Sequence, residues 1–178
     1  MDKLNVLIAG STGYIGTQLV KLLCKHKNVK IKYLCGNTSV GKNISSYDKN
    51  LKKYKLPKII KINYKLFKDV DVIFTSLPNG ESQKIANKLL KKNIMIDLSA
   101  DFRLKNPDTW EKWYGKNHSA KSLLSECVYG LPCTLRSRPL VVVVEVRAHV
   151  IQHQQQPIVY GPLPLQQRKD TEVGWSYY

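Results

Sequence analysis

Short apolar runs alternate with amphipathic stretches along the first hundred residues. Apart from Asn5, the run Leu4 to Ala9 is apolar on both sides of the pleat and stops at Gly10, the pattern of a buried parallel strand. From Tyr14 onward Ile15, Leu19, Val20, Leu22 and Leu23 recur at helical spacing. Val29, Ile31, Tyr33 and Cys35 alternate and predict a second strand, and Lys58 to Ile62 predicts a third. Asp71 to Ser76 reads as a buried strand and Pro78-Asn79-Gly80 as a turn. Glu81 to Lys92 reads as a helix, through Ile85, Leu89 and Leu90, and Ile94 to Asp97 as a further strand. Strands alternating with helices imply an α/β fold built on a doubly wound parallel sheet, Rossmann-like.

The junction between the first strand and its helix carries the first candidate chemistry. Gly10-Ser11-Thr12-Gly13-Tyr14-Ile15-Gly16 has the spacing G-x-x-G-x-x-G. In a strand–turn–helix context the first glycine permits the tight turn, the second lets a pyrophosphate approach the backbone, and the third lets the helix pack on the sheet. The helix N-terminus offers N–H groups and a positive dipole end, and the hydroxyls of Ser11 and Thr12 are candidate additional donors. A second strand ending near the adenosine ribose places Asn37 and Ser39 there, with Lys42 just beyond. No acid occurs between Cys35 and Asp48. Dinucleotide folds that prefer NAD place an acid at that point, so the small polar residues and Lys42 favour NADP. Leu77 and Pro78, after the fourth strand, complete the expected cofactor site.

Composition adjusts this picture little. The formal net charge is +16, but the lysines are scattered, with no block of five and no aromatic residues interleaved as a stacking platform. A solvated basic surface that draws in anionic ligands is therefore expected, and not a nucleic-acid interface. No apolar run approaches 18 residues, and Met1 to Asn5 leads straight into the first strand without an apolar leader. The expected location is the cytoplasm, away from membranes. Cys24, Cys35, Cys127 and Cys133 form no C-x-x-C pair and are expected as reduced thiols. No metal site is expected.

Later segments identify a family. Ser76-Leu77-Pro78-Asn79-Gly80, then Ile96-Asp97-Leu98-Ser99-Ala100-Asp101-Phe102-Arg103-Leu104, then Trp113-Tyr114-Gly115 with His118, then Tyr129-Gly130-Leu131-Pro132 follow in order. Together they resemble the N-acetyl-gamma-glutamyl-phosphate reductases over residues 1–132, with Asn79 where that family usually has His. The resemblance implies an NADP-binding domain of semialdehyde dehydrogenase type and a small-molecule acyl phosphate substrate, with a homo-oligomer possible in the full-length family. In such reductases a cysteine thiolate attacks the acyl phosphate, phosphate leaves, and NADPH reduces the thioester. Arg103 is a candidate anion contact on the substrate side, against a salt bridge to Asp97 or Asp101. Those two carboxylates are read as loop caps more readily than as an acid–base pair. His118 is a candidate for the active-site cleft, against an exposed loop position.

A seam follows Pro132. Of 24 lysines only Lys169 lies beyond it, whereas four of the five arginines and six of the eight glutamines do. Residues 133–178 are expected as an irregular tail, apart from a β-like run from Leu140 to Val146. The family's Asn-Pro-Gly-Cys-Tyr-Pro-Thr segment, which carries the nucleophile, has no counterpart there, and Cys133 comes too early. Shifted by two bases, the codons from His149 to His153 can spell Cys-Tyr-Pro-Thr, though those just upstream cannot spell Pro-Gly. The tail is thus read as an out-of-frame translation or a low-complexity linker, and no catalytic residue is assigned. The expectation is a chain that does not turn over substrate by itself. Two alternatives stand beside it: an atypical short-chain NADP-dependent reductase, marked by a catalytic lysine or Tyr-x-x-x-Lys in the later chain, and a non-catalytic NADP-binding module.

Overall fold

The computed structural model describes residues 2–130 and, for its backbone, the strand Val141–Val143. Seven strands form one parallel sheet: β1 (Leu4–Ala9), β2 (Val29–Cys35), β3 (Ile59–Ile60), β4 (Val72–Thr75), β5 (Ile94–Asp97), β6 (Cys127–Tyr129) and β7 (Val141–Val143). Their order is β3-β2-β1-β4-β5-β7-β6. The chain winds one way from β1 to β2 and β3, then returns to place β4 on the other side of β1. That reversal opens a crevice at the carboxyl ends of β1 and β4. The helices are α1 (Tyr14–Leu23), α2 (Glu81–Ala86) and α3 (Pro107–Tyr114).

Both sheet faces are buried, which is why the strands read as apolar runs. Val6, Ile8, Ile31 and Leu34 pack with Val20 of α1 and with Ile44 and Leu51. Leu7, Ala9, Ile73 and Met95 pack on the other face with Phe67 and with Ile85 and Ala86 of α2. The strict alternation expected for β2 does not hold. Val6 pairs with Ile31 but Leu7 pairs with Tyr33, so Lys32 is an extra residue in the ladder. This bulge sends Val29 and Ile31 to the α1 face and Tyr33 and Cys35 to the other. Leu22, read as part of the apolar stripe of α1, is 69% exposed and points to solvent.

Two other boundaries differ from expectation. The helix expected over 81–92 ends at Ala86, where the Asn87 side chain donates to the Ser119 carbonyl at 2.9 Å. The next amides, Lys88 and Leu89, bond three residues back, the tightening common at a helix end. In addition α3 forms where no element was expected. Asn106 Oδ1 accepts from the Asp108 and Thr109 amides, Pro107 occupies the first turn, and Gly115 ends the helix at φ 64°. The seam at residue 132 lies among residues outside the described ones. The described segment beyond it, β7, pairs with β5 on one side and β6 on the other. The rest of the tail, Cys133 and the stretch from His149 to His153 lie outside the described residues.

Candidate functional site

The seven-residue glycine turn sits at the β1–α1 junction. Gly10 holds φ at 80°, and a Cβ there would lie 2.0 Å from the Ser76 carbonyl oxygen at the end of β4. A Cβ on Gly16 would lie 2.1 Å from the Gly10 carbonyl oxygen. Both positions exclude any side chain by contact with backbone, which cannot give way. Gly13 differs. Its nearest such contact is 3.4 Å, its φ is −69°, and it is exposed. What its missing side chain leaves is open space over the turn.

The turn is latched to β2. The Gly10 and Ser11 amides and the Ser11 hydroxyl all donate to the Cys35 carbonyl, at 3.0, 3.1 and 3.2 Å. Ser11 is therefore fully buried, and its hydroxyl faces β2 instead of the open side. The first backbone bond of α1 runs from the Thr17 amide to the Gly13 carbonyl at 2.8 Å. The amides of Ile15 and Gly16 accordingly have no intrahelical acceptor. Tyr14 is 57% exposed beside them, and Ile15 is half-buried.

A cleft of about 220 Å³ opens at the carboxyl ends of β1, β2 and β4. Gly10 and Thr12 line it from the turn, Asn37 from the end of β2, and Leu77 and Pro78 from the end of β4. Five expected cofactor residues thus meet at one cavity. Ser39 lies behind it: buried, it donates to Thr12 Oγ1 at 3.4 Å and accepts from the Tyr47 hydroxyl at 2.6 Å. It fixes the wall that presents Thr12. Ile62, Tyr64, Glu81 and Lys84 also line the cleft and were not foreseen. They come from the segment after β3 and from the outer face of α2, where no local motif marks them. Cys35 forms part of the floor, and burial pushes its thiol up to about 12.

The loop after β5 is built differently. Asp97 is buried and accepts from the Thr75 hydroxyl at 2.6 Å, the Ser99 hydroxyl at 2.7 Å and the Ser99 amide at 3.1 Å. Asp101, also buried, accepts from the amides of Gly80 (2.7 Å), Ser82 (3.1 Å) and Gln83 (3.3 Å), capping α2 from across the fold. Burial pushes its carboxyl up, and those amides pull against that. The capping reading of the two carboxylates is what the hydrogen bonds describe. Arg103 is exposed and donates from Nε to the Ser99 carbonyl at 3.2 Å. Among the described residues it joins no ion pair, so neither Asp97 nor Asp101 is its partner.

His118 lies away from the cleft lining and is only 2% exposed, so it is not the exposed loop residue that the sequence suggested. Its Nδ1 accepts from the Ala120 amide at 3.3 Å, which leaves the proton on Nε2, and Nε2 donates to the Asp101 carbonyl at 2.9 Å. Phe102 and Trp110 meet the ring edge to face. The spacing Tyr-x-x-x-Lys occurs at Tyr54–Lys58 and Tyr64–Lys68, before β4, and not in the later chain where a short-chain reductase would need it. Among the described residues no cluster of His, Cys, Asp and Glu is placed to hold a metal ion, and no helix is long and apolar enough to cross a membrane.

A family model described as the NAD binding domain of semialdehyde dehydrogenase matches residues 5–153. N-acetyl-gamma-glutamyl-phosphate reductases of Brachyspira hyodysenteriae and of Ehrlichia ruminantium (strain Gardel) are each 44% identical, over 130 and 131 residues. Each alignment covers 72% of this chain, and 37% and 38% of those proteins. The reductase of Cereibacter sphaeroides (strain ATCC 17025) is 41% identical over 127 residues, 71% of this chain and 37% of its own. The chain thus spans a little over a third of the length of the curated relatives it matches. Among solved structures, aspartate semialdehyde dehydrogenase II of Vibrio cholerae superposes with a TM-score of 0.48 at 17% identity, covering 80% of this chain and 42% of that one. The aspartate semialdehyde dehydrogenase of Candida albicans with NADP gives a TM-score of 0.43 at 20% identity, over 60% and 32%.

Proposed function

The chain belongs to the semialdehyde dehydrogenase family through its NAD-binding domain, and from that premise we propose that it binds NADP in the cleft beside the Gly10–Gly16 turn. The relatives named above extend the proposal to the reduction of N-acetyl-gamma-glutamyl phosphate to N-acetylglutamate semialdehyde, in arginine biosynthesis and in the cytoplasm. The observation that carries it is a cleft at the carboxyl ends of β1, β2 and β4 that Gly10, Thr12 and Asn37 line, with the exposed Gly13 in the same turn.

The protein's own residues divide the work. Gly10 and Gly16 hold the turn against β4 and α1, while Gly13 leaves the approach to the Ile15 and Gly16 amides clear for a pyrophosphate. Thr12, fixed by Ser39, and Asn37 face the ribose side. With no acid at the end of β2, nothing there repels a 2′-phosphate, and Lys42 follows closely. Leu77 and Pro78 form the apolar wall toward β4. The nicotinamide, when bound, supplies the hydride. Arg103, exposed at the carboxyl edge of β5, suits an anionic substrate group. His118, tied to the Asp101 carbonyl and the Ala120 amide, positions the β5 loop and meets no ligand directly.

We also infer that the chain as given does not turn over the acyl phosphate by itself. Burial pushes the thiols of Cys35 and Cys127 up to about 12, which leaves almost no thiolate at neutral pH. Burial also raises Cys24, at the C-terminal end of α1. No Asn-Pro-Gly-Cys segment occurs, in keeping with an out-of-frame origin for residues 133–178. Repeated reads of the DNA across codons 130–160 test that origin, and an intact frame overturns it.

Calorimetric titration of the full chain with NADPH and NADH tests the cofactor. The expected result is tighter binding of NADPH; equal affinities would remove the case for NADP, and no binding would remove the function. NADPH oxidation by the purified chain with the acyl phosphate is expected to stay at background. Turnover above background would contradict the inference about the nucleophile.

A further inference from the structure

We infer that Tyr64 is the stacking platform for the adenine of the bound dinucleotide, with Ile62 beside it and Lys84 at the rim. This rests on the cofactor reading above and adds to it a residue that no motif marks. The geometry begins with the strand order. In a sheet ordered β3-β2-β1-β4-β5, a dinucleotide lying across the β1–β4 crevice puts its adenosine half toward β2 and β3. Tyr64 stands two residues after Ile62 and four after the end of β3, so it belongs to that half.

The ring is both available and fixed. Tyr64 lines the cleft and is 44% exposed. Its ring meets Phe67 edge to face, with centroids 5.6 Å apart and planes at 69°. Phe67 is fully buried, so it acts as an anchor. The short 3-10 helix that carries both, Tyr64–Asp69, is capped by Asn63, whose side chain accepts from the Lys65 amide at 2.9 Å. The ring therefore loses little freedom when a base lies on it. Lys84 of α2 lines the same cleft and is tethered to Glu81 at 2.6 Å. A partly exposed aromatic ring that lines the cleft with an aliphatic side chain, Ile62, is suited to a purine π-face.

The test is calorimetry on the full chain with three probes: NADP, 2′,5′-ADP and nicotinamide mononucleotide. Tyr64→Leu is expected to weaken NADP and 2′,5′-ADP about tenfold, the effect of one lost base–aromatic stack. Nicotinamide mononucleotide should bind it as it binds the wild type, and Tyr64→Phe should restore the first two. A ring-current upfield shift of the adenine H2 and H8 protons should appear with the wild type and Tyr64→Phe and vanish with Tyr64→Leu. If the wild type binds NADP and Tyr64→Leu binds it equally well, this inference falls and the cofactor reading stands. If the wild type binds no NADP, both fall. Equal weakening of all three probes by Tyr64→Leu would also overturn it, because a general loss of cleft shape and not of stacking would then be the cause.

Discussion

The glycine turn after β1 and the acid-bearing loop after β5 lie along the same edge of one sheet. In the turn, the decisive feature is what is missing: two side chains that backbone atoms would strike, and a third whose absence keeps a surface open. In the loop, the decisive feature is what is already spent. Asp97 takes three donors and Asp101 takes three more. Buried polar groups so fully engaged have little capacity left for a ligand. Charged residues in a family-specific motif can thus be architecture, while a residue without a side chain, Gly13, leaves the open surface.

The largest expected effect separates glycines within the turn. Gly10→Ala should cost on the order of 4 kcal/mol, since it combines a disfavoured φ of 80° with a Cβ 2.0 Å from the Ser76 oxygen. Gly13→Ala should cost about 0.5 kcal/mol, the difference between glycine and alanine at a helix N-cap. It should nevertheless weaken NADP binding, because its methyl would stand in the open approach. Urea unfolding beside a binding titration checks both. A Gly10→Ala chain as stable as the wild type would break the comparison at its first term.

Next comes the loop. Asp101→Ala strips the acceptor from three amides at once, two of them buried, and should cost about 3 kcal/mol in urea unfolding. Asp101→Asn, which keeps one acceptor oxygen, should cost less. If Asp101→Ala instead left stability intact and abolished ligand binding alone, the loop would have to be reclassified as a site.

These two regions were unequally legible. The turn could be read because backbone sterics restrict it to glycine, and glycine at fixed spacing is visible in a sequence. The strands could be read because burial on both faces leaves little room for polar residues. The bulge at Lys32 could not, since one extra residue in a ladder leaves no mark in composition. The burial of His118 was hidden because Phe102, Trp110 and the Asp101 carbonyl come to it from outside its own segment. By contrast α3 carried its signals in the open, from Asn106-Pro107 to Gly115, and shortness alone obscured it. Its eight residues contain one buried side chain, Trp110, too few to set up a periodicity.

His118→Ala should fall between the cases already given and the last. It removes a bridge to the Asp101 carbonyl and opens space between Phe102 and Trp110, so about 2 kcal/mol of stability should go. NADP affinity should not change. A weakened affinity with stability intact would move His118 into the cofactor machinery.

The smallest effect near neutral pH sharpens the comparison most finely, because each region has its own buried thiol. Cys35 closes the floor beside the turn and Cys127 packs beside the β5 loop. Burial comes first in pushing both up to about 12 from 9.0, but for Cys127 the charges of Asp97 and Glu126 push in the same direction. A folded value above the unfolded one stabilises fully below the unfolded value, and that stability is lost as pH rises through the folded value. Unfolding free energy should therefore carry no thiol-dependent slope from pH 6 to 8 and should fall from about pH 9 toward 12. Asp97→Asn removes one of the two charges acting on Cys127 and none acting on Cys35. Thiolate absorbance, followed as pH rises in that variant, should show the Cys127 midpoint moving down while the Cys35 midpoint stays in place. If both midpoints moved together, the two regions would share one electrostatic environment, and the separation between an open turn and a saturated loop would not hold.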